Sequence, residues 1–213
     1  ATTVQTTAAC DVTVAPASIA APAEGLTAAI AIGPSGLPPA CGWLATSSMP
    51  WATFPSGASG SGPGSVQVTV APNPGHVARQ GTVSVGGATV PLPQAPAPRR
   101  YYLSEGATGF IFDLDIAIAN PNDEPVPVEV TFLRPGGQLA PITQDFTLAA
   151  KAQRVISVDA IPELASTDVS TVVTSPTGAP LVVERTMFWD GTSYGGHGGT
   201  AVDGPRTRWY FAE

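Results

Sequence analysis

Phe112-Asp113-Leu114-Asp115-Ile116-Ala117-Ile118-Ala119 places a large apolar side chain at every second position. Successive side chains of an extended strand point to opposite faces. Phe112, Leu114, Ile116 and Ile118 therefore share one face, and the aspartates and alanines the other. This is the pattern of a half-buried antiparallel strand. Downstream, Val126, Val128, Val130 and Phe132 repeat it between the turn signals Pro121-Asn122-Asp123 and Pro135-Gly136-Gly137. Upstream, Val66, Val68 and Val70 alternate with Gln67 and Thr69, and Val83 and Val85 with Thr82 and Ser84. Pro72-Asn73-Pro74-Gly75 and Gly86-Gly87 punctuate those runs. Short strands in quick succession predict an all-β protein built as two tandem Ig-like β-sandwich domains. Ile161 to Ala165 is the only helical turn expected.

Composition agrees. The 213 residues include 23 Gly and 23 Pro and are only 12% charged, which excludes helical bundles and coiled coils. A hydrophobic share of 43% is enough for a core and excludes a disordered chain. The net charge of −7 argues against a nucleic-acid partner, which needs a basic face. No apolar run is long enough for a membrane span. Ala1 to Ala9 lacks the basic end and apolar stretch of a signal peptide. Thr7-Ala8-Ala9-Cys10 matches a lipoprotein box only superficially, without the preceding Leu. A chain beginning at Ala1 is expected of a mature secreted protein whose leader has gone, or of a piece cut from a longer chain.

Charge divides the chain. Residues 1–98 carry only Asp11, Glu24 and Arg79, a net of −1, whereas residues 99–213 carry a net of −6. Between them, Pro91-Leu92-Pro93-Gln94-Ala95-Pro96-Ala97-Pro98 favours an extended, semi-rigid connection. The expected domains are therefore 1–97 and 98–213. Cys10 and Cys41 are the only cysteines. In an extracellular protein such a pair reads as a disulfide; in a cytosolic one it would be two buried thiols.

Cys41-Gly42-Trp43, then Trp51, the Ser/Gly stretch Ser56 to Gly62, Val66 to Val70, Asn73, Arg79-Gln80-Gly81 and Gln94 occur in order. Together, over residues 10–95, they resemble the BACON domain, a bacterial Ig-like β-sandwich. Members often carry an early cysteine before the first strand, so the resemblance supports the Cys10–Cys41 disulfide. It implies a bacterial secreted or cell-surface accessory module, either a glycan- or mucin-binding element or a spacer, without catalysis. Val90-Pro91-Leu92-Pro93 departs from the pattern, and its prolines predict an edge strand or a bulge. In the second half, Tyr101-Tyr102-Leu103-Ser104-Glu105-Gly106 is echoed by Trp209-Tyr210-Phe211-Ala212-Glu213. This is similar to a bacterial extracellular Ig-like repeat whose units open with an aromatic-Ala-Glu-Gly strand.

Chemistry is sparse. Glu184, Asp190, Tyr194, His197 and Asp203 gather around Gly195-Gly196-His197-Gly198-Gly199, read as a flexible glycine loop able to bring His197 to a carboxylate. No spacing there matches a metal motif. Glu184 and Arg185 are neighbours in a strand and face opposite sides. Gly191-Thr192-Ser193-Tyr194-Gly195 spells a nucleophile elbow, but glycines follow where the elbow needs a helix. His76 is expected in a solvated turn. An isopeptide between Lys151, the only lysine, and Asn120 is conceivable, although alternation does not bring the two together.

The expected function is a non-catalytic extracellular structural or adhesive protein, a subunit of a bacterial surface fibre assembled by strand addition. The alternative is a glycan- or mucin-binding accessory module. No catalytic residue, cofactor or metal ligand is assigned. Trp51 and Tyr194 are the glycan-stacking candidates, and Trp43 is expected in the core. Val4, Trp209, Tyr210 and Phe211 are the candidate subunit contacts, with neighbouring copies of the same protein as the expected partner.

Overall fold

The computed structural model describes residues 10–34, 37–137, 139–190, 194–204 and 207. Among them the fold is all-β, with three short 3-10 turns and no α-helix. The chain divides into two compact units, Ala1–Ala97 and Pro98–Glu213.

The first unit contains β1 (Thr13–Ala15), β2 (Leu26–Gly33), β3 (Gly42–Ser47), β4 (Ala52–Thr53), β5 (Ser59–Ser61), β6 (Gly64–Val70), β7 (Arg79–Val85) and β8 (Ala88–Gln94). They form two antiparallel sheets, ordered β1-β2-β6-β4 and β5-β3-β7-β8. Ile30, Val66, Val68 and Val70 bury one face of the first sheet, and Trp43, Val83, Val85, Val90 and Leu92 one face of the second. The alternating valines decide which face is buried. Cys10 and Cys41 are bridged, with Cα atoms 5.5 Å apart. Trp43 is buried and donates its indole N–H to Gly62 O at 3.0 Å. Its ring occupies the space that a side chain at Gly60 would need. The Ser/Gly stretch is therefore partly strand, with β5 lying against β3.

Pro91 and Pro93 lie in β8, at the end of its sheet as their lack of a donor requires. The carbonyls of both point away from β7 and accept N–H groups from Ile19 and Ala21, each at 2.9 Å. Ala95 N returns a bond to Ala21 O at 2.9 Å, so residues 19–21 cover the outer side of β8. The proline-rich stretch expected as a connection is thus largely the last strand. Ala97 is tied to the turn before β7, its carbonyl accepting from His76 Nδ1 at 2.9 Å and its N–H donating to Gly75 O at 2.8 Å.

The second unit contains β9 (Arg99–Leu103), β10 (Phe112–Ala119), β11 (Val126–Leu133), β12 (Ile142–Leu148), β13 (Gln153–Ser157), β14 (Ser170–Ser175), β15 (Val182–Asp190) and β16 (Tyr194–Thr200). Its sheets run β12-β11-β14-β9 and β13-β10-β15-β16. Leu114, Ile116 and Ile118 pack in one core with Val126, Val128, Val130 and Phe132. The helical turn expected over Ile161 to Ala165 is the 3-10 turn Pro162–Leu164; a second, Val158–Ala160, precedes it, and there Asp159 Oδ2 accepts the Leu114 N–H at 2.7 Å. At the β12 and β13 edges, the Arg154 guanidinium lies 4.2 Å from the Phe146 ring centroid. The third 3-10 turn, Pro135–Gly137, falls on the turn signal after β11.

A further element differs from the sequence reading. Gly195 to Gly199 is no flexible loop but the body of β16, paired with β15 from Asp190↔Tyr194 to Glu184↔Thr200. Glycine has poor intrinsic strand preference. Here the neighbouring strand supplies the pairing, and bulky side chains of β15 use the room: Trp189 occupies the side-chain space of Gly195.

Candidate functional site

The site is built on the β9 and β16 edges of the second unit. Along β15, Val183, Arg185 and Met187 fall on one register, and cross-strand partners share a face, so His197 and Gly199 of β16 lie on that same face. Arg185 thus occupies a position whose sequence neighbours in register are apolar. Gly199, opposite it, leaves the guanidinium room, with Nη2 3.5 Å from where a β-carbon would stand.

The Arg185 side chain is only 8% exposed. Its Nη1 donates to Glu105 O and lies 3.6 Å from Glu105 Oε2. Nη2 is 3.1 Å from His197 Nδ1. A guanidinium only donates, so Nδ1 accepts and the imidazole carries its proton on Nε2. The Glu105 side chain is 73% exposed, which screens its charge, and Arg185 Nε is buried without a partner. His197 therefore faces a cation. Glu184, one of the carboxylates read around His197, is exposed on the other face of β15.

Backbone geometry defines the opening above this cluster. Ala201 N donates to Val183 O at 2.9 Å. Bonded and non-bonded pairs alternate in an antiparallel ladder, so His197 and Gly199 bond β15. Tyr194, Gly196, Gly198 and Thr200 direct their N–H and C=O groups outward. Val202, next in that series, exchanges bonds with Tyr102 of β9 at 2.8 and 3.1 Å. This single rung joins the two sheet edges. Beyond it they part around a gap of about 350 Å³ lined by Leu103, Glu105, Arg185, Gly199 and Thr200. A second cleft of about 510 Å³ shares Ser104 and Glu105 with it and continues past Phe112, Arg134, Asp168 and Met187.

Other candidates are placed as follows. Trp51 is half-buried, with the Arg79 guanidinium 4.3 Å from its ring centroid. Arg79 also donates through Nε to Gln94 Oε1 at 2.8 Å and through Nη2 to the carbonyls of Ala71 and Pro72. Arg79 and Gln94 thus form one polar brace. Asn120 Nδ2 donates to Glu124, Leu148 and Ala149 carbonyls, while Lys151 Nζ donates to Pro121 O and pairs with Asp123 at 3.0 Å. Both side chains are engaged in loop closure. Val4, Ser193, Trp209, Tyr210 and Phe211 lie outside the described residues, as does the side chain of Tyr194. Among the described residues no three His, Cys, Asp or Glu side chains gather as a metal site, and no helix is long and apolar enough to cross a membrane.

The sequence reading names Arg185 only as the strand neighbour of Glu184, facing the opposite side, and does not place it in a site. Its signal was a charged residue in the apolar register Leu181, Val183, Met187.

No family model matches the chain, and no curated protein matches it. Solved structures show slight likenesses. A Thermotoga maritima protein, 1070, is 16% identical with a TM-score of 0.44, the match covering 51% of this chain and 98% of that one. A Bacteroides ovatus GH5 xyloglucanase in complex with a XXXG heptasaccharide is 25% identical with a TM-score of 0.33. That match covers 41% of this chain and 20% of the xyloglucanase. Likenesses this slight assign no function.

Proposed function

We propose that the protein is a non-catalytic extracellular structural or adhesive protein, a subunit of a bacterial surface fibre that assembles by strand addition. The observation that carries this reading is the edge of β16. Seven residues long, it holds four glycines and no proline, lysine, arginine or carboxylate. Folded proteins normally protect such edges with Lys, Pro, bulges or covering segments. An outward row of unpaired N–H and C=O groups is the template used in strand addition. A contact between unlike surfaces of successive copies does not close, and it propagates into a filament.

The disulfide is compatible with secretion into an oxidising environment. The low charge of the first unit, three charged residues in 98, weakens repulsion between packed copies. Light scattering across a concentration series, with electron microscopy of the same samples, tests the reading. The expected result is mass that grows with concentration and linear particles. Monomers at every concentration would remove the fibre.

A second reading, glycan binding, draws on the 510 Å³ cleft, where Phe112 and Met187 stand beside Arg134 and Asp168. Sugars pair apolar ring faces with hydrogen-bonding hydroxyls, which suits such a mixed wall. A carbohydrate array separates the two: a hit lost in Phe112→Ala supports the glycan module, and no hit leaves the fibre reading alone.

A further inference from the structure

We infer that the split between β9 and β16 is the acceptor groove for an incoming strand, and that the strand is residues 1–9 of a second copy. The inference rests on the fibre reading and adds the location and the occupant.

Three observations locate the groove. The Tyr102–Val202 rung fixes the register at which the two edges begin to separate. Past that rung, Thr200, Gly198 and Gly196 offer outward backbone groups with no cross-strand partner among the described residues. A strand laid beside β16 sits about 4.8 Å from it, and its alternate side chains point inward. The gap of about 350 Å³ between Leu103, Arg185 and Gly199 is where those inward side chains would go. The other exposed side of the sandwich is different, because the Arg154–Phe146 stack spans the β12 and β13 edges.

The occupant follows from size and charge. Ala1-Thr2-Thr3-Val4-Gln5-Thr6-Thr7-Ala8-Ala9 is uncharged, small and rich in the β-branched residues that favour strands. Nine extended residues span about 30 Å, more than the seven residues of β16 require. The segment Pro205-Arg206-Thr207-Arg208-Trp209-Tyr210-Phe211 fits worse. It would bring two arginines towards the buried Arg185 cation, and its three aromatic side chains are large for a narrow gap between sheet edges. The donor belongs to the first unit of one copy and the acceptor to the second unit of the next, a head-to-tail contact.

Two variants of the full chain test this. Gly198→Pro removes an outward N–H and sets a ring in the path of the guest, leaving the β15 side of the ladder intact. A β-carbon at that position meets nothing closer than Arg185 O at 3.8 Å. Val4→Pro/Gln5→Pro disables the donor in either strand parity. Each variant alone should remain monomeric by light scattering at concentrations about tenfold or more above those at which the unaltered chain assembles. An equimolar mixture, holding one working donor and one working acceptor, should stop at dimers. Circular dichroism and melting confirm folding, and Thr200→Pro repeats the block if Gly198→Pro does not fold.

An unaltered chain that is monomeric throughout overturns both the inference and the fibre reading. Assembly that survives Gly198→Pro overturns the groove while the fibre reading stands. Assembly blocked by Gly198→Pro but indifferent to Val4→Pro/Gln5→Pro overturns residues 1–9 as the occupant.

Discussion

Among the described residues β8 and β16 are each the last strand of a compact unit and each end a sheet, yet their edges are treated in opposite ways. In β8 the outward backbone positions include Pro91 and Pro93, which have no N–H to offer, and residues 19–21 accept the role of cover. In β16 the outward positions include Gly196 and Gly198, with full donors and no side chains, and the ladder to β9 ends after one rung. Removing donors silences an edge, whereas removing side chains exposes it. The same contrast runs through two arginines, the half-buried Arg79 and the buried Arg185. Arg79 is braced by Gln94, two carbonyls and Trp51, while Arg185 keeps an unpartnered Nε.

The largest break in this comparison comes from the first unit's staple. The Cys10–Cys41 bridge closes a sequence separation of 31 residues. In the chain-entropy view it stabilises by about 3–4 kcal/mol. Cys10→Ser/Cys41→Ser should therefore lower the stability of the first unit by that amount, measured as lost hydrogen-exchange protection in β2, β6 and β7. A loss under about 1 kcal/mol would show that the covered edge and the polar brace hold the unit without it.

The brace comes next. Gln94 is 1% exposed and donates to Pro22 O and Ala71 O, each at 3.0 Å, while accepting from Arg79. Gln94→Ala removes all three bonds of this buried amide and leaves Arg79 Nε without its acceptor. Unmade buried hydrogen bonds of this kind cost about 2–3 kcal/mol, and the loss should appear as a lower denaturation midpoint with unchanged slope.

Two glycines sharpen the contrast at a smaller scale. Alanine at Gly60 would collide with the Trp43 ring, and alanine at Gly195 with the Trp189 ring. Trp43 is buried and fixed by its bond to Gly62 O, whereas Trp189 is half-buried. Overpacking a fixed ring costs about 1–3 kcal/mol, so Gly60→Ala should fall in that range and Gly195→Ala below it. Equal losses in thermal unfolding would mean that Trp189 is held as firmly as Trp43.

Much of the sandwich could be read from alternation because burial and side-chain parity are the same fact in a strand. Val66, Val68 and Val70, and Val126 to Phe132, are buried on the registers their spacing predicts. The prolines of β8 announced an edge for a similar reason: a missing donor is local chemistry. β16 was hidden because its identity is not local. Four glycines carry no parity, and only β15 makes them a strand. Arg185 was half-visible, a charge in an apolar register, but its partners Glu105 and His197 come from distant segments. Asn73 and Asn120 show the same limit. Each precedes a proline and reads as a turn, yet Asn73 ties down Ala95 and Asn120 ties down Leu148.

The smallest expected effect asks whether Arg185 is a brace at all. Replacing a poorly compensated buried cation with an apolar side chain of similar length is often neutral or stabilising, because the cost of desolvation disappears with the charge. Methionine suits the position, lying in register between Val183 and Met187. The Glu105 carboxylate, 73% exposed, is hydrated without its partner, and His197 is exposed enough to bond water in place of Nη2. Arg185→Met should therefore change stability by no more than about 1 kcal/mol, read from denaturant unfolding. A loss above about 2 kcal/mol would place Arg185 alongside Arg79, as a residue that the surrounding fold needs charged and held.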